Sequence, residues 1–111
     1  MAIPKVTMLR SASIPNSDLS GKDLSLSDMS GADLRGVNFS FSNLSGADLS
    51  GSNLSGAMME RSNLCGANLR GATLFGADLF RACFDDYTVF PPGFNTAGMH
   101  NVSRWPAGRK A

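Results

Sequence analysis

The sequence has few of the residues from which most enzymes and most small extracellular scaffolds are built. It contains two cysteines, one histidine, one tryptophan and one tyrosine in 111 residues. Two cysteines cannot form the disulfide framework of a small secreted domain. Cys65 and Cys83 fall one layer apart and out of register in the repeat described below, so we expect free thiols in a reducing compartment.

Long apolar runs and a strong charge of either sign are also missing. No stretch of about 18 apolar residues occurs, so we expect no membrane span. The first residues lack the apolar core of a signal peptide, which predicts a cytoplasmic location and leaves organelle targeting open. A formal net charge of +1 argues against a strongly basic nucleic-acid binder. Within residues 12–86, nine acidic residues outnumber five basic ones.

Large apolar residues recur at every fifth position. At 42% hydrophobic content, fifteen such positions in a row have a chance probability of about one in a hundred thousand. Two residues before each centre lies Ala or Ser in thirteen cases, one before lies Asp or Asn in eleven, and Gly lies two after in nine. The centres are Ile14, Leu19, Leu24, Met29, Leu34, Phe39, Leu44, Leu49, Leu54, Met59, Leu64, Leu69, Leu74, Leu79 and Phe84.

A period of five suits neither a single helix nor a flat strand. On a helix it scatters the centres around the axis, and on a strand it alternates them between faces. It suits a coil in which each repeat makes one short extended side and one corner. The small residue and the centre then point inward, the Asp or Asn points outward, and Gly takes the corner at positive φ. The sequence therefore predicts an all-β solenoid.

The repeat pattern Ala-Asp-Leu-x-Gly, as at 32–36 and 47–51, resembles that of the pentapeptide-repeat family. The resemblance implies a right-handed, four-sided β-helix with four repeats per coil, in which residues twenty apart stack. Fifteen repeats would then make a short β-helix of about 3.75 coils. Leu9 lies in the same register below Met29, which predicts a partial first coil.

The repeat is interrupted at both ends, where a solenoid needs caps. We assign residues 1–11 to an N-terminal cap or tail, 12–86 to the β-helix, and 87–111 to a C-terminal capping segment and tail. Tyr87 is too large for the inward site that it would occupy, so we expect the β-helix to stop near residue 86. Val89, placed above Leu69, would plug the core with Phe90. The candidate cap residues are Tyr87, Val89, Phe90, Phe94 and Trp105.

The sequence predicts no catalytic site, cofactor or metal site, and hence no enzyme. The serines have no base at a motif spacing, and His100 has no neighbouring Cys, Asp or Glu. The first four repeat carboxylates fall on four different sides of one coil and cannot converge on a ligand. They are Asp18, Asp23, Asp28 and Asp33.

The pattern favours a rigid, non-enzymatic protein–protein interaction or assembly module, whose partner is another protein or a second copy. The candidate interface consists of outward aromatic and basic residues, although the C-terminal tail could instead fold back over Phe75 and Phe80. The interface residues are Phe41, Phe75, Phe80, Arg61 and Arg81.

The alternative function is a DNA-mimic inhibitor or modulator of a type II topoisomerase. It is implied by the resemblance, because some members of the family imitate DNA with a long acidic rod. The short rod and the arginines that interrupt its acidic surface argue against this function. Direct nucleic-acid binding is not expected.

Overall fold

Short extended segments and tight turns alternate regularly in the computed structural model, which describes residues 7–104. Each repeat pairs with the coils above and below it through the residue that precedes its centre. These parallel bridges join residues twenty apart, from Met8–Asp28 to Asn63–Cys83. Four repeats therefore complete one coil, and the solenoid has four sides.

The centres stack in four inward columns, which define sides one to four in chain order. Each centre from Leu24 to Leu69 is buried, and burying a side chain of this size stabilises the fold by about 1.5–3 kcal/mol. The predicted inward orientation is confirmed. Side one contains Ile14, Leu34, Leu54 and Leu74; side two contains Leu19, Phe39, Met59 and Leu79; side three contains Leu24, Leu44, Leu64 and Phe84; side four contains Leu9, Met29, Leu49 and Leu69.

Continuous secondary structure is confined to the C-terminal end. Strand β1, Cys83–Phe84, pairs in parallel with strand β2, His100–Asn101, and a 3₁₀ helix, Val102–Arg104, follows. No helix within residues 7–104 has the length and apolar character that crossing a membrane requires.

From Leu24 to Leu79, each corner is a hydrogen-bonded turn that leads the chain from one side to the next. After Leu44, for example, the Ala47 N–H donates to the Leu44 carbonyl at 3.0 Å. The third residue of this turn, Gly46, has a φ of 68°, which identifies a type II turn. The predicted role of the corner glycine is confirmed at this position.

The outward Asp and Asn side chains support the same turns. The Asp23 carboxylate accepts hydrogen bonds from the Ser25 N–H at 3.1 Å and from the Ser25 hydroxyl at 2.7 Å. Asn43 accepts from the N–H and hydroxyl of Ser45 in the same way, at 3.0 and 2.7 Å. These bonds tie each outward side chain to the corner that follows it.

Parallel pairing continues beyond residue 86 with a shift of one residue. Asn68 pairs with Val89, twenty-one positions later, and Tyr87 is displaced outward with 81% of its surface exposed. The predicted position of Val89 above Leu69 is therefore wrong by one residue. Val89 lies on the outside, 44% exposed, and Phe90 takes the place above Leu69. Tyr87 could not enter the inward site, as expected, but it does not cover the core either.

Aromatic rings cover the upper end of the core. The ring of Phe90 packs edge-on against Phe84 and stacks on Phe94, with both pairs of centroids 5.3 Å apart. Thr88 anchors this segment, since its hydroxyl donates to the Leu64 carbonyl at 2.8 Å. Trp105, the remaining candidate cap residue, lies outside the described residues.

One buried serine differs from the others and yields a stability test. The Ser52 hydroxyl donates to the Leu49 carbonyl at 2.6 Å, whereas the buried Ser27 hydroxyl has no partner within the described residues. An unsatisfied buried polar atom costs about 1–3 kcal/mol. We expect Ser27→Ala to leave the free energy of unfolding unchanged or to raise it, and Ser52→Ala to lower it by about 1 kcal/mol. Urea denaturation would contradict this if both changes were equally destabilising.

The serine-bonded carboxylates predict a loss of stability in acid. Hydrogen bonds from the Ser25 side chain and N–H hold the pKa of Asp23 below its ordinary value of 3.8. A lowered pKa in the folded state stabilises the fold above the unfolded pKa, and this contribution disappears as the pH falls through the folded pKa. Asp23→Asn should therefore lower the Tm at about pH 6, and this difference should shrink as the pH falls through the folded pKa of Asp23. A difference in Tm that is independent of pH would contradict this.

Candidate functional site

Exposed apolar side chains are concentrated around side two. Four large ones border or lie on this side in the second to fourth coils: Phe41, Met58, Phe75 and Phe80. The other exposed large apolar residues lie near the two ends of the solenoid, at Met8, Leu26, Tyr87 and Val89. The remaining outward positions of the middle coils carry mainly Ser, Asn and Asp.

The corner between sides two and three departs from the glycine rule in three successive coils. Phe41, Arg61 and Arg81, which we call the arginine corner, have φ values of 59°, 56° and 59°. A residue with a Cβ in this region costs about 1–2 kcal/mol relative to its relaxed backbone. In the second and third coils the other three corners carry glycine at the equivalent position. The arginine corner is therefore a strained column of large, outward side chains.

Two guanidinium groups of the corner lie over aromatic rings. The Arg61 Cζ is 5.7 Å from the ring centroid of Phe41, and the Arg81 Cζ is 5.3 Å from that of Phe80. Such pairs contribute about 0.5–1 kcal/mol at exposed sites and restrict both side chains. The Arg61 Nε also lies 3.9 Å from a Glu60 carboxylate oxygen, at the limit of an ion pair. The corner thus presents ordered cations beside apolar rings.

The structure brings together four of the five predicted interface residues. Phe41, Arg61, Arg81 and Phe80 form one cluster at the arginine corner. Phe75 lies at the preceding corner, between sides one and two, and is 86% exposed. It borders the same side from the opposite edge. We call the set of Phe41, Met58, Phe75, Phe80, Arg61 and Arg81 the side-two surface.

Sequence reasoning missed Met58. This residue occupies the outward position before the centre Met59, where eleven of the fifteen repeats have Asp or Asn. An apolar residue at this usually polar, outward position was the signal that could have identified Met58 as a candidate contact residue. Its importance became visible only when the coil length placed it on the same side as Phe80.

Among the described residues, the C-terminal segment covers part of Phe80 and leaves Phe75, at the opposite edge of side two, exposed. The Arg81 N–H donates to the Gly98 carbonyl at 2.8 Å, so the turn at 97–98 lies above the arginine corner. Phe80 lines a cleft with Phe94 and Met99 and retains 51% of its exposure. Within the described residues no side chain shields Phe75 to a similar degree. The covering hypothesis thus applies in part to Phe80. No described residue covers Phe75, and residues 105–111 of the tail lie outside the described residues. The interface hypothesis stays a prediction for both residues.

The two thiols lie on side three and remain unpaired. Cys65 and Cys83 are both free and half-buried. Burial, with smaller contributions from the nearby Asp85 carboxylate and Cys83, raises the pKa of Cys65 to about 11. Burial also raises the pKa of Cys83. Both thiols are therefore protonated at neutral pH and weakly nucleophilic.

Most carboxylates of the first two coils serve their own turns. Asp18, Asp23 and Asp28 each accept from the serine two residues later, and the Asp33 carboxylate pairs with Arg35 at 2.7 Å. These bonds lower the pKa of all four carboxyl groups. In residues 7–104 no three potential metal-binding side chains among His, Cys, Asp and Glu lie close enough to bind one ion.

The side-two surface has the composition of a protein contact. Aromatic residues, methionine and arginine are enriched in the buried centres of protein interfaces, whereas serine and aspartate are depleted there. A guanidinium that lies over a ring keeps its N–H edge free to bind a carboxylate or carbonyl oxygen of a partner. Side two can therefore bury apolar area and offer directional donors together.

Comparison with known proteins identifies relatives along most of the chain. A family model described as pentapeptide repeats matches with eight copies, over residues 8–40 and 42–79. None of the curated proteins compared with the chain matches it.

Solved structures of similar proteins agree with this match. A pentapeptide repeat protein from Nostoc Pcc 7120 is 36% identical, and the alignment covers 85% of this chain and 84% of that one with a TM-score of 0.46. A pentapeptide repeat protein from the Arabidopsis thaliana thylakoid lumen is 25% identical, with 82% of this chain and 62% of that chain covered and a TM-score of 0.74. Pairing at intervals of twenty residues, the pattern of apolar centres, the family model and the similarity to the Arabidopsis structure lead to the same conclusion: the chain belongs to the pentapeptide-repeat family.

Proposed function

We propose that this protein is a rigid, non-enzymatic interaction module that binds another protein, or a second copy of itself, through the side-two surface. The observation that carries this proposal is the arginine corner. In three successive coils, Phe41, Arg61 and Arg81 adopt a positive φ that glycine would adopt without strain. Each of them directs a large side chain outward. Glycine would satisfy the fold at these corners without backbone strain. Strained residues at such positions are characteristic of functional sites.

The flat geometry of the solenoid supports a docking role. Side two carries outward residues on a backbone fixed by hydrogen bonds from both neighbouring coils, such as Met58 N–H to the Val37 carbonyl at 2.9 Å. A partner therefore meets side chains that lose little backbone freedom on binding, which lowers the cost of association. The cation–π contacts order the two arginines in the same way.

Two further features support the non-enzymatic part of the proposal. The carboxylates of the first coil are engaged in turn hydrogen bonds on separate sides, as for Asp18 and Asp23. The thiols are protonated at neutral pH because burial raises the pKa of Cys65 and Cys83. Neither set offers an activated nucleophile or a pair of convergent acids.

DNA mimicry is the second candidate function, and it would depend on the acidic first two coils. Asp28 and Asp48 stack on side four, which gives one short column of like charge. Against it, the Asp33 charge is paired with Arg35 at 2.7 Å, and Arg61 and Arg81 project from the corner after side two. Mimicry of a duplex requires a longer uninterrupted acidic surface, so docking through side two ranks first.

The double variant Phe41→Ser, Phe80→Ser tests the docking role. We expect it to lose the bound partner in affinity capture from the native cell, because these rings form the apolar part of the surface. If the partner is a second copy, light scattering should show a fall in mass instead. Tyr87→Ser is the matched control, since Tyr87 is an exposed aromatic residue away from side two. Retention of the partner by the double variant, with loss in the control, would refute the site.

A further inference from the structure

The upper edge of side two carries unpaired backbone groups. One level below, the Asp78 N–H donates to the Ala57 carbonyl at 2.9 Å, and the Met59 N–H donates to the Asp78 carbonyl at 2.7 Å. The same two bonds one level higher would use the Ala77 carbonyl and the Leu79 N–H. Within residues 7–104 neither group has a hydrogen-bond partner. Side two therefore ends in a donor and an acceptor spaced for one more parallel segment.

The C-terminal cap pairs with sides three and four and leaves the backbone groups of this edge unpaired, while Phe94 and Met99 pack over the core and Leu79 is only 7% exposed. On side three the His100 N–H donates to the Ala82 carbonyl at 2.9 Å, and on side four Val89 pairs with Asn68. Between side two and the cap lies a cleft of about 310 Å³. Its lining includes Asp78, Leu79, Phe80, Phe94, Asn95 and Met99. This volume is at the lower end of the range of about 300–1,000 Å³ for ligand sites.

We propose that this edge binds an extended segment of a partner protein, which adds a parallel strand above residues 77–79. One residue of the segment makes both backbone bonds: its N–H donates to the Ala77 carbonyl, and its carbonyl accepts from the Leu79 N–H. Edge pairing of this kind takes its affinity from main-chain hydrogen bonds and its specificity from alternate side chains. The site shares Phe80 with the side-two surface but does not depend on the role proposed for that surface.

Stacking rules define the chemistry of the bound segment. The bonded residue lies above the exposed Asp78 carboxylate, which favours Lys or Arg there. The next residue lies in the cleft beside Phe94 and Met99, because Leu79 below is already only 7% exposed, and an apolar side chain there packs against these two residues. The preceding residue lies above Ala77 and must be small. The segment therefore has the order small, basic, apolar.

The cap restricts the occupant to a single segment. The Arg81 N–H already binds the Gly98 carbonyl, so the chain itself fills the position after Leu79 at this level. A bound strand must end or turn outward after its apolar residue. A second solenoid stacked end to end would need sides three and four, which the cap occupies through His100 and Phe90. A peptide fits the edge, and a whole coil does not.

The probe is the peptide acetyl-Ser-Gly-Ala-Lys-Leu-amide, titrated into the full-length ¹⁵N-labelled protein and followed by NMR. We expect a saturable downfield shift of the Leu79 amide proton, because that group gains a hydrogen bond. The same peptide with a methyl group on the backbone nitrogen of its lysine should bind about tenfold more weakly, because the N–H that donates to the Ala77 carbonyl is lost. In the native protein the Asp78 carboxylate accepts from the Phe80 N–H at 3.0 Å, and Asp78→Asn keeps an oxygen for this bond. The substitution removes the charge that attracts the peptide lysine, so it should weaken binding about threefold.

Arg61→Gly should leave peptide binding unchanged, which separates this site from the side-two surface. Absence of a saturable shift, or equal binding of the N-methylated peptide, would overturn the proposal. A Leu79 shift that appears with protein concentration alone would assign the edge to a second copy. Peptide binding seen only after removal of residues 105–111 would assign it to the end of the chain itself. Either result would also overturn the proposal.

Discussion

The structure depends on one constraint, a tight turn that recurs at every fifth residue. From Leu24 to Leu79, each centre's carbonyl accepts an N–H from three residues later, as from Ala47 to Leu44 at 3.0 Å, and each corner residue takes a positive φ. Because four such turns close a coil, every side stacks on its equivalent twenty residues later. The inward positions are then fixed by packing, whereas the outward positions can vary without changing the backbone. Specificity in this fold lies in the outward residues.

The repeating part of the fold could be predicted because a period of five excludes a single helix and a flat strand, and because the family resemblance supplied four repeats per coil. The apolar centres from Leu24 to Leu69 are buried as the period requires. Val89 shows the limit of the periodic pattern. It occupies a centre position of the five-residue period, yet it pairs with Asn68 on the outside instead of lying above Leu69. The last corner contains one extra residue, and the large Tyr87 beside it points outward, a change that the period of five does not signal. The partial cover of Phe80 by the turn at Gly98 is likewise a tertiary contact without a local signal.

The candidate site could be predicted only in part for a related reason. Outward Phe and Arg residues are unusual in a Ser-rich and Asp-rich repeat, so Phe41, Phe75 and Phe80 could be selected one at a time. Their grouping around side two, together with Met58, depends on the coil length, which the sequence supplied only through the family resemblance. The strain at Arg61 and Arg81 could be anticipated from the missing glycine, but the guanidinium contacts with the rings could not.

The central claim is that the arginine corner is kept for its outward side chains and not for the stability of the solenoid. The most direct measurement is the free energy of unfolding of the triple variant Phe41→Gly, Arg61→Gly, Arg81→Gly, by urea denaturation. Relief of positive-φ strain should offset the lost cation–π contacts and the added freedom of the unfolded chain. The account predicts a free energy unchanged or higher by about 1 kcal/mol, together with loss of partner binding. A variant less stable by more than about 1 kcal/mol, or one that still binds its partner, would contradict it.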